Sequence, residues 1–220
     1  MGKLQTKLTE IDIEGFSVKV ETISNIDALF DELLLKGKDH ADVQDERIPY
    51  WADLWPSAIV LSKYLVRRDI IHPGSKVLEL GCGIGLPGII SGRLGAHVVF
   101  TDYIQEALDL AKLNWDKNNG ATAEFLLMDW RKPNISLKAD IILASDIAYE
   151  KKSFEDLVRA FRFLVGINTR MFISEPNRAF SQSFFRDLKT QGFLVESTHE
   201  QINFRNQVYT VHVHEVKLGN

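Results

Sequence analysis

Twelve consecutive residues, Val77-Leu78-Glu79-Leu80-Gly81-Cys82-Gly83-Ile84-Gly85-Leu86-Pro87-Gly88, constrain this chain more than any other segment. An apolar run that reads as a buried strand ends at Leu80. Glycines at alternate positions follow, where backbone N–H groups can approach a ligand with no Cβ in the way. Pro87 suits the first turn of a helix, where its missing N–H costs little. Strand, glycine turn and helix in this order demand a βα unit with its ligand at the carboxyl end of the strand. Two fingerprints overlap here: Gly83-Ile84-Gly85-Leu86-Pro87-Gly88 satisfies the dinucleotide pattern G-x-G-x-x-G, and Glu79-Leu80-Gly81-Cys82-Gly83-Ile84-Gly85 satisfies E-x-G-x-G-x-G.

From Lys76 onward the pattern alternates. Strands at 76–80, 97–101, 123–128, 140–144 and 170–174 are interleaved with helices at 87–94, 104–118, 152–165 and 178–190. Such alternation predicts an α/β fold built on a doubly wound, mostly parallel sheet. The stretches 193–200 and 208–217 leave no room for a crossover helix, so they must pair antiparallel. Ahead of the glycine turn, residues 8–23 alternate around Glu14-Gly15 and read as a β-hairpin. Asn25 is placed to cap a helix running through Leu29, Phe30, Leu33 and Leu34 to Gly37, and 38–47 reads as a solvated acidic loop. Ile48-Pro49-Tyr50-Trp51-Ala52-Asp53-Leu54-Trp55-Pro56 then leads into a helix with Pro56 in its first turn. The expected division is an amino-terminal extension of hairpin, helix and acidic loop, 1–47, and a main domain, 48–220.

The chain has 220 residues, 45% hydrophobic and 25% charged, enough for one globular domain with a full core. A net charge of −4 gives no broad cationic surface, so no nucleic-acid partner is expected. No apolar run approaches the roughly 18 residues of a membrane span, so no membrane partner is expected either. Cys82 is the lone cysteine and the first residues lack a signal sequence, which points to the cytoplasm. Gly2 followed by Thr6 only loosely echoes a myristoylation pattern.

The acids at the strand ends choose between the two fingerprints. Asp102 closes Val98-Val99-Phe100-Thr101, about 20 residues after the glycine turn, where a carboxylate can accept hydrogen bonds from ribose hydroxyls. Asp129 closes the next strand, where it could accept from an adenine amino group, with Trp130 as an apolar wall. Glu79, at the mouth of the loop, would repel a pyrophosphate but complement an ammonium or sulfonium. Together they favour S-adenosylmethionine over a dinucleotide. Each acid could instead cap the helix that follows it. Cys82 reads as a small apolar loop residue rather than a nucleophile.

With these residues in register, residues 51–217 resemble the seven-β-strand, class I S-adenosylmethionine-dependent methyltransferases. Within them the sequence is similar to the mostly lysine-directed D-x-x-Y protein methyltransferases, methyltransferase family 16. The motif is Asp146-Ile147-Ala148-Tyr149, directly after the strand Ala139-Asp140-Ile141-Ile142-Leu143-Ala144-Ser145. Trp55-Pro56 and Asp129-Trp130 followed by Pro133 belong to the same likeness. The resemblance implies a Rossmann-like seven-stranded sheet of order 3-2-1-4-5-7-6 with the seventh strand antiparallel. It implies S-adenosylmethionine as cofactor, bound by Trp55, Glu79, Gly81, Cys82, Gly83, Gly85, Asp102, Tyr103, Asp129, Trp130 and Ser145. Asp146 and Tyr149 are the implied catalytic pair, and the acceptor a protein lysine or else a small molecule.

A lysine amine, ordinarily near pKa 10.4, must lose its proton before attack. Asp146 could then orient the nitrogen, with the Tyr149 hydroxyl and ring beside it; the plainer reading has Asp146 capping a helix near Lys151. A nicotinamide-dependent oxidoreductase is the remaining, weaker reading. Trp51 fits either the core or the site, and Glu175 either touches substrate or caps a helix. His212 and His214 share one strand face, but no third ligand is legible and no metal is expected.

Overall fold

The structure, a computed structural model, describes residues 5–45, 47–119, 121–133 and 138–219; Gly2 of the loose amino-terminal pattern lies outside the described residues. β1 (Thr6–Ile13) and β2 (Phe16–Ile23) form the expected hairpin. Its two turn residues, Glu14 and Gly15, have φ of 53° and 87°, as a type I′ turn requires, and Asp12 Oδ2 accepts the Gly15 N–H at 3.1 Å. α1 (Ile26–Leu35) follows, but Asn25 does not cap it: the Asn25 Oδ1 accepts the Gln5 N–H at 3.0 Å and ties the helix start to the hairpin instead. The stretch 38–47 is not merely solvated either. It contains a helical turn, α2 (Ala41–Gln44), because opposite charges close in sequence pull it together: Asp42 pairs with Lys36 and Arg47, and Asp45 with the distant Arg131.

A 3-10 turn (Pro49–Ala52) leads into α3 (Pro56–Arg67), which starts on a proline as expected. β3 (Lys76–Leu80) is an inner strand of the main sheet, and its last four residues are buried because a parallel strand is covered on both faces. α4 (Leu86–Arg93), β4 (His97–Asp102), α5 (Gln105–Asn118) and β5 (Glu124–Leu127) wind to one side of it. β6 (Ile141–Ser145), α6 (Phe154–Leu164), β7 (Arg170–Glu175) and α7 (Ser181–Thr190) wind to the other. β8 (Phe193–Phe204) and β9 (Gln207–Leu218) finish the chain, and the sheet runs β5-β4-β3-β6-β7-β9-β8 with β9 antiparallel to both neighbours. This is the expected order. The last two strands are longer than their alternation alone implied, since Arg205 and Asn206, at φ of 49° and 64°, close them with a two-residue turn.

Strand alternation sorts the core into two clusters. Val77, Val98, Phe100, Leu143 and Phe172 face α3, α4, α5 and the hairpin, while Leu78, Leu80, Ile142, Met171 and Ile173 face α6 and α7. The hairpin is therefore part of the first cluster: Ile13, Val18 and Val20 have no solvent exposure. Its outer edge is closed by side chains rather than by a third strand. Asn114 accepts the Glu21 N–H at 2.6 Å and donates to Glu21 O, and Asn118 does the same for Lys19. One helical turn of α5 matches the two-residue repeat of β2, so two amides satisfy the strand edge. Among the described residues, no helix is long and apolar enough to cross a membrane.

Candidate active site

The turn after β3 is built on positive φ at Gly81 (59°) and Gly83 (51°). Both positions are also closed to side chains: a Cβ on Gly81 would stand 3.0 Å from the Trp130 ring, and one on Gly83 3.2 Å from the Trp51 carbonyl oxygen. Gly83 donates its N–H to Asp102 Oδ2 at 3.0 Å, and Ile104 donates to Asp102 Oδ1, so the carboxylate that ends β4 locks the loop in place. Burial pushes Asp102 up to about 6, against these N–H donors. The loop, the ends of β4 and β6 and the aromatic turn at 49–52 enclose a cleft of about 280 Å³.

The cleft brings together most of the expected residues: Trp55, Gly81, Cys82, Gly83, Asp102, Tyr103, Trp130, Ser145, Asp146 and Tyr149 all line it. Three stand outside. Gly85 sits beneath the loop, where its N–H donates to Cys82 O at 2.8 Å. Glu79 does not reach the mouth, because the strand period turns it under the loop toward α4. There its Oε2 accepts the Gly88 N–H at 2.9 Å, its Oε1 has no partner, and burial pushes it up to about 8. Gly88 is a packing glycine, since a Cβ there would lie 2.3 Å from the Phe100 ring. Asp129 lines an adjoining cleft instead, with both oxygens held at 2.9 Å by Arg131 Nε.

Arg131 also reaches Asp45, so one guanidinium straps the amino-terminal segment to the end of β5. Arg47 and Arg131 each lie over the Tyr103 ring, at 5.6 and 5.9 Å from its centroid. Burial lifts the Tyr103 hydroxyl to about 12, which keeps it protonated as a donor.

The other end of the cleft is aromatic and acidic. Asp146 follows β6 at φ 56°, an uncommon conformation for a residue with a side chain, and its N–H donates to Ser174 O at 2.8 Å. Its carboxylate does not cap the turn near Lys151. Both oxygens are held by the fork of Arg178, with Nη2 to Oδ2 at 3.2 Å. Burial raises Asp146 while Arg178 opposes that rise. Tyr50 stands edge-on to both Tyr149 (5.9 Å) and Trp55 (6.0 Å), and the Trp55 indole donates to Tyr50 O at 2.7 Å. Burial raises the Tyr149 hydroxyl as well, so it too stays protonated.

Arg178, Tyr50 and Asp53 complete this end, and no motif in the sequence marks them as site residues. Tyr50 and Asp53 do belong to the aromatic segment ahead of Pro56, so a signal for them was present. Asp53 is fixed by Arg205 at 2.6 and 2.7 Å from the tip of the β8–β9 turn, a contact across 152 residues that no local pattern carries. Glu175 neither lines the cleft nor caps α7 through a helix N–H: its Oε2 accepts from Arg178 N, in the turn before the helix, and from Ser181 Oγ. It also closes on the two histidines of β9, supplying the third group that spacing alone did not show.

Fold and cleft together define a Rossmann-like methyltransferase architecture. The fold is shared with magnesium protoporphyrin IX methyltransferase of Synechocystis PCC 6803, solved with bound S-adenosylmethionine, at a TM-score of 0.59 and 18% identity over 88% of this chain and 92% of that one. The chain belongs to the lysine methyltransferase family, which it matches over residues 43–191. Homo sapiens histone-arginine methyltransferase METTL23 is 33% identical over 124 residues, 54% of this chain and 65% of that protein. Xenopus tropicalis EEF1A lysine methyltransferase 3 is 28% identical over 165 residues, 73% of this chain and 74% of that protein. The chain spans 51–65% of the length of the METTL23 relatives it matches.

Proposed function

We propose that this protein is an S-adenosylmethionine-dependent N-methyltransferase whose acceptor is a lysine side chain of another protein. The observation that carries the reading is the single cleft that joins the glycine turn and Asp102 at one end to Asp146 and the Tyr50, Trp55 and Tyr149 rings at the other. The residues suit the cofactor: Gly81 and Gly83 line the cleft with no Cβ, and Asp102 stands where ribose hydroxyls would donate. When bound, S-adenosylmethionine supplies an electrophilic methyl group on a sulfonium. The chain's own task is alignment and an uncharged acceptor nitrogen.

An aromatic and acidic acceptor end suits a cationic side chain. Rings attract an ammonium through their faces, and a carboxylate steadies the positive charge that develops on nitrogen. Asp146 would orient the amine, in exchange for one arm of Arg178, while Tyr149 donates or accepts beside it. The METTL23 likeness and the Arg178 fork support a second reading, a protein arginine acceptor, because Asp146 already holds a guanidinium in the bidentate geometry such an acceptor would use. Incubation with methyl-labelled S-adenosylmethionine and a cell extract tests both. Label in protein that hydrolyses to methyl-lysine supports the first reading and methylarginine the second, whereas label confined to small molecules overturns both.

A further inference from the structure

Outside the cleft, on the sheet face covered by α7, three ligand-type side chains converge. Glu175 ends β7, and His212 and His214 lie two apart on β9, so all share one face. One donor atom from each lies within 4.8 Å of the others, and no other such group occurs among the described residues. We propose that Glu175, His212 and His214 bind a divalent first-row transition metal, zinc in the first instance.

The orientation of the ligands is set from behind. Glu175 Oε2 is taken by Arg178 N and Ser181 Oγ at 3.0 and 2.7 Å, which leaves Oε1 facing His214. The gap from Oε1 to His214 Nε2 is 3.6 Å, too long for a hydrogen bond. His214 is only 5% exposed, yet its Nε2 has no hydrogen-bond partner. Its other ring nitrogen, Nδ1, meets Ser197 Oγ at 2.7 Å, and Phe185 stacks on the ring at 3.5 Å. In the tautomer whose Nδ1–H donates to Ser197 Oγ, Nε2 presents its lone pair, the arrangement that supports a metal-bound imidazole. A buried nitrogen whose nearest partner is a carboxylate 3.6 Å away is under-satisfied, and an ion between the two would satisfy both.

Two imidazoles and one carboxylate are the donor set of a zinc site with one open position. Tetrahedral donors at about 2 Å from an ion stand about 3.3 Å apart, so closing the group needs shifts of about 1 Å. His212 is half-buried, with its ring stacked near those of His199 and His214, and it is the ligand that would move. His199, exposed on β8 with its ring 5.6 Å from that of His212, stands on the solvent side where the open position would lie.

The test needs no methyl transfer, so its failure is distinct from failure of the proposed activity. Untagged full-length chain, stripped with a chelator, is titrated with zinc chloride by calorimetry and with cobalt(II) by visible absorption. One equivalent should bind, with a cobalt band of low coordination number. His212→Ala should weaken binding at least about tenfold, as loss of a ligand or its support does, and Glu175→Gln likewise. His72→Ala, at an exposed histidine elsewhere, should leave binding unchanged. Circular dichroism checks that each variant is folded, and if Glu175→Gln is not, His212→Ala decides the outcome. Absence of binding with zinc in excess overturns the site, as does stoichiometric binding that survives His212→Ala unaltered.

Discussion

Asp146 reaches the cleft already holding a guanidinium, and that fact sets how it can be tested. Asparagine at this position keeps one oxygen for Arg178 but loses the charge, so Asp146→Asn should fold normally and bind S-adenosylmethionine as before in calorimetry. Methyl transfer should fall at least about 100-fold, the scale of losing one preorganised electrostatic partner. Glu79 gives a second prediction, in stability. Burial raises it from 4.5 to about 8, so the folded chain holds the proton more tightly than the unfolded one. Its contribution is therefore full below about 4.5 and is lost as pH rises through 8, by at most about 1.4 kcal/mol per pH unit. Glu79→Gln should remove that slope and become more stable than the parent at pH 8, as read from melting temperatures across pH; parallel profiles would refute it. Asp102, raised only from 3.8 to about 6, keeps a slope of the same sign in the variant over that lower and narrower window. Both acids stood out in the sequence. The register puts both on one sheet face, Glu79 opposite Phe100 and Asp102 two residues further along β4, so Asp102 reaches the cleft while Glu79 stops beneath the loop.

At the scale of elements, most strands and helices were legible because burial imposes periods of 2 and 3.6 on apolar residues. What escaped is stabilisation that carries no period. The capping role expected of Asn25 passed to a tie with Gln5, and 38–47 formed a turn through ion pairs. The edge of β2 is closed by Asn114 and Asn118, residues that look ordinary on a polar helix stretch. Asn114 also donates to Ile84 O at 3.1 Å, so one buried amide serves both the hairpin and the glycine turn. Asn114→Ala should strand the Glu21 N–H and two carbonyls, and lower stability by about 2–3 kcal/mol in denaturant titration. Asn118→Ala, nearer solvent, should cost less. Equal and small losses would show that water substitutes for both amides.

For the molecule as a whole, we regard the proposed division at residue 47 as organisational rather than energetic. The hairpin buries Ile13, Val18 and Val20 in the same cluster as α3 and α5. Arg67 ties Glu14 of the hairpin turn to Glu200 of β8, and Arg205 holds Asp53. A fragment beginning at residue 48 should therefore melt well below the intact chain or fail to melt cooperatively; an unchanged melting temperature would show that the extension is a separate unit. The sequence by itself determined the doubly wound sheet, the glycine turn and the place of Asp146 after β6, because each rests on local chemistry: periodic burial, glycine's freedom at positive φ, and motif spacing. Only the tertiary structure decided which carboxylates are free. Arg178 on Asp146, Arg131 on Asp45, and Glu175 beside His214 are pairings between distant segments, fixed by where the strands end and not by any spacing along the chain.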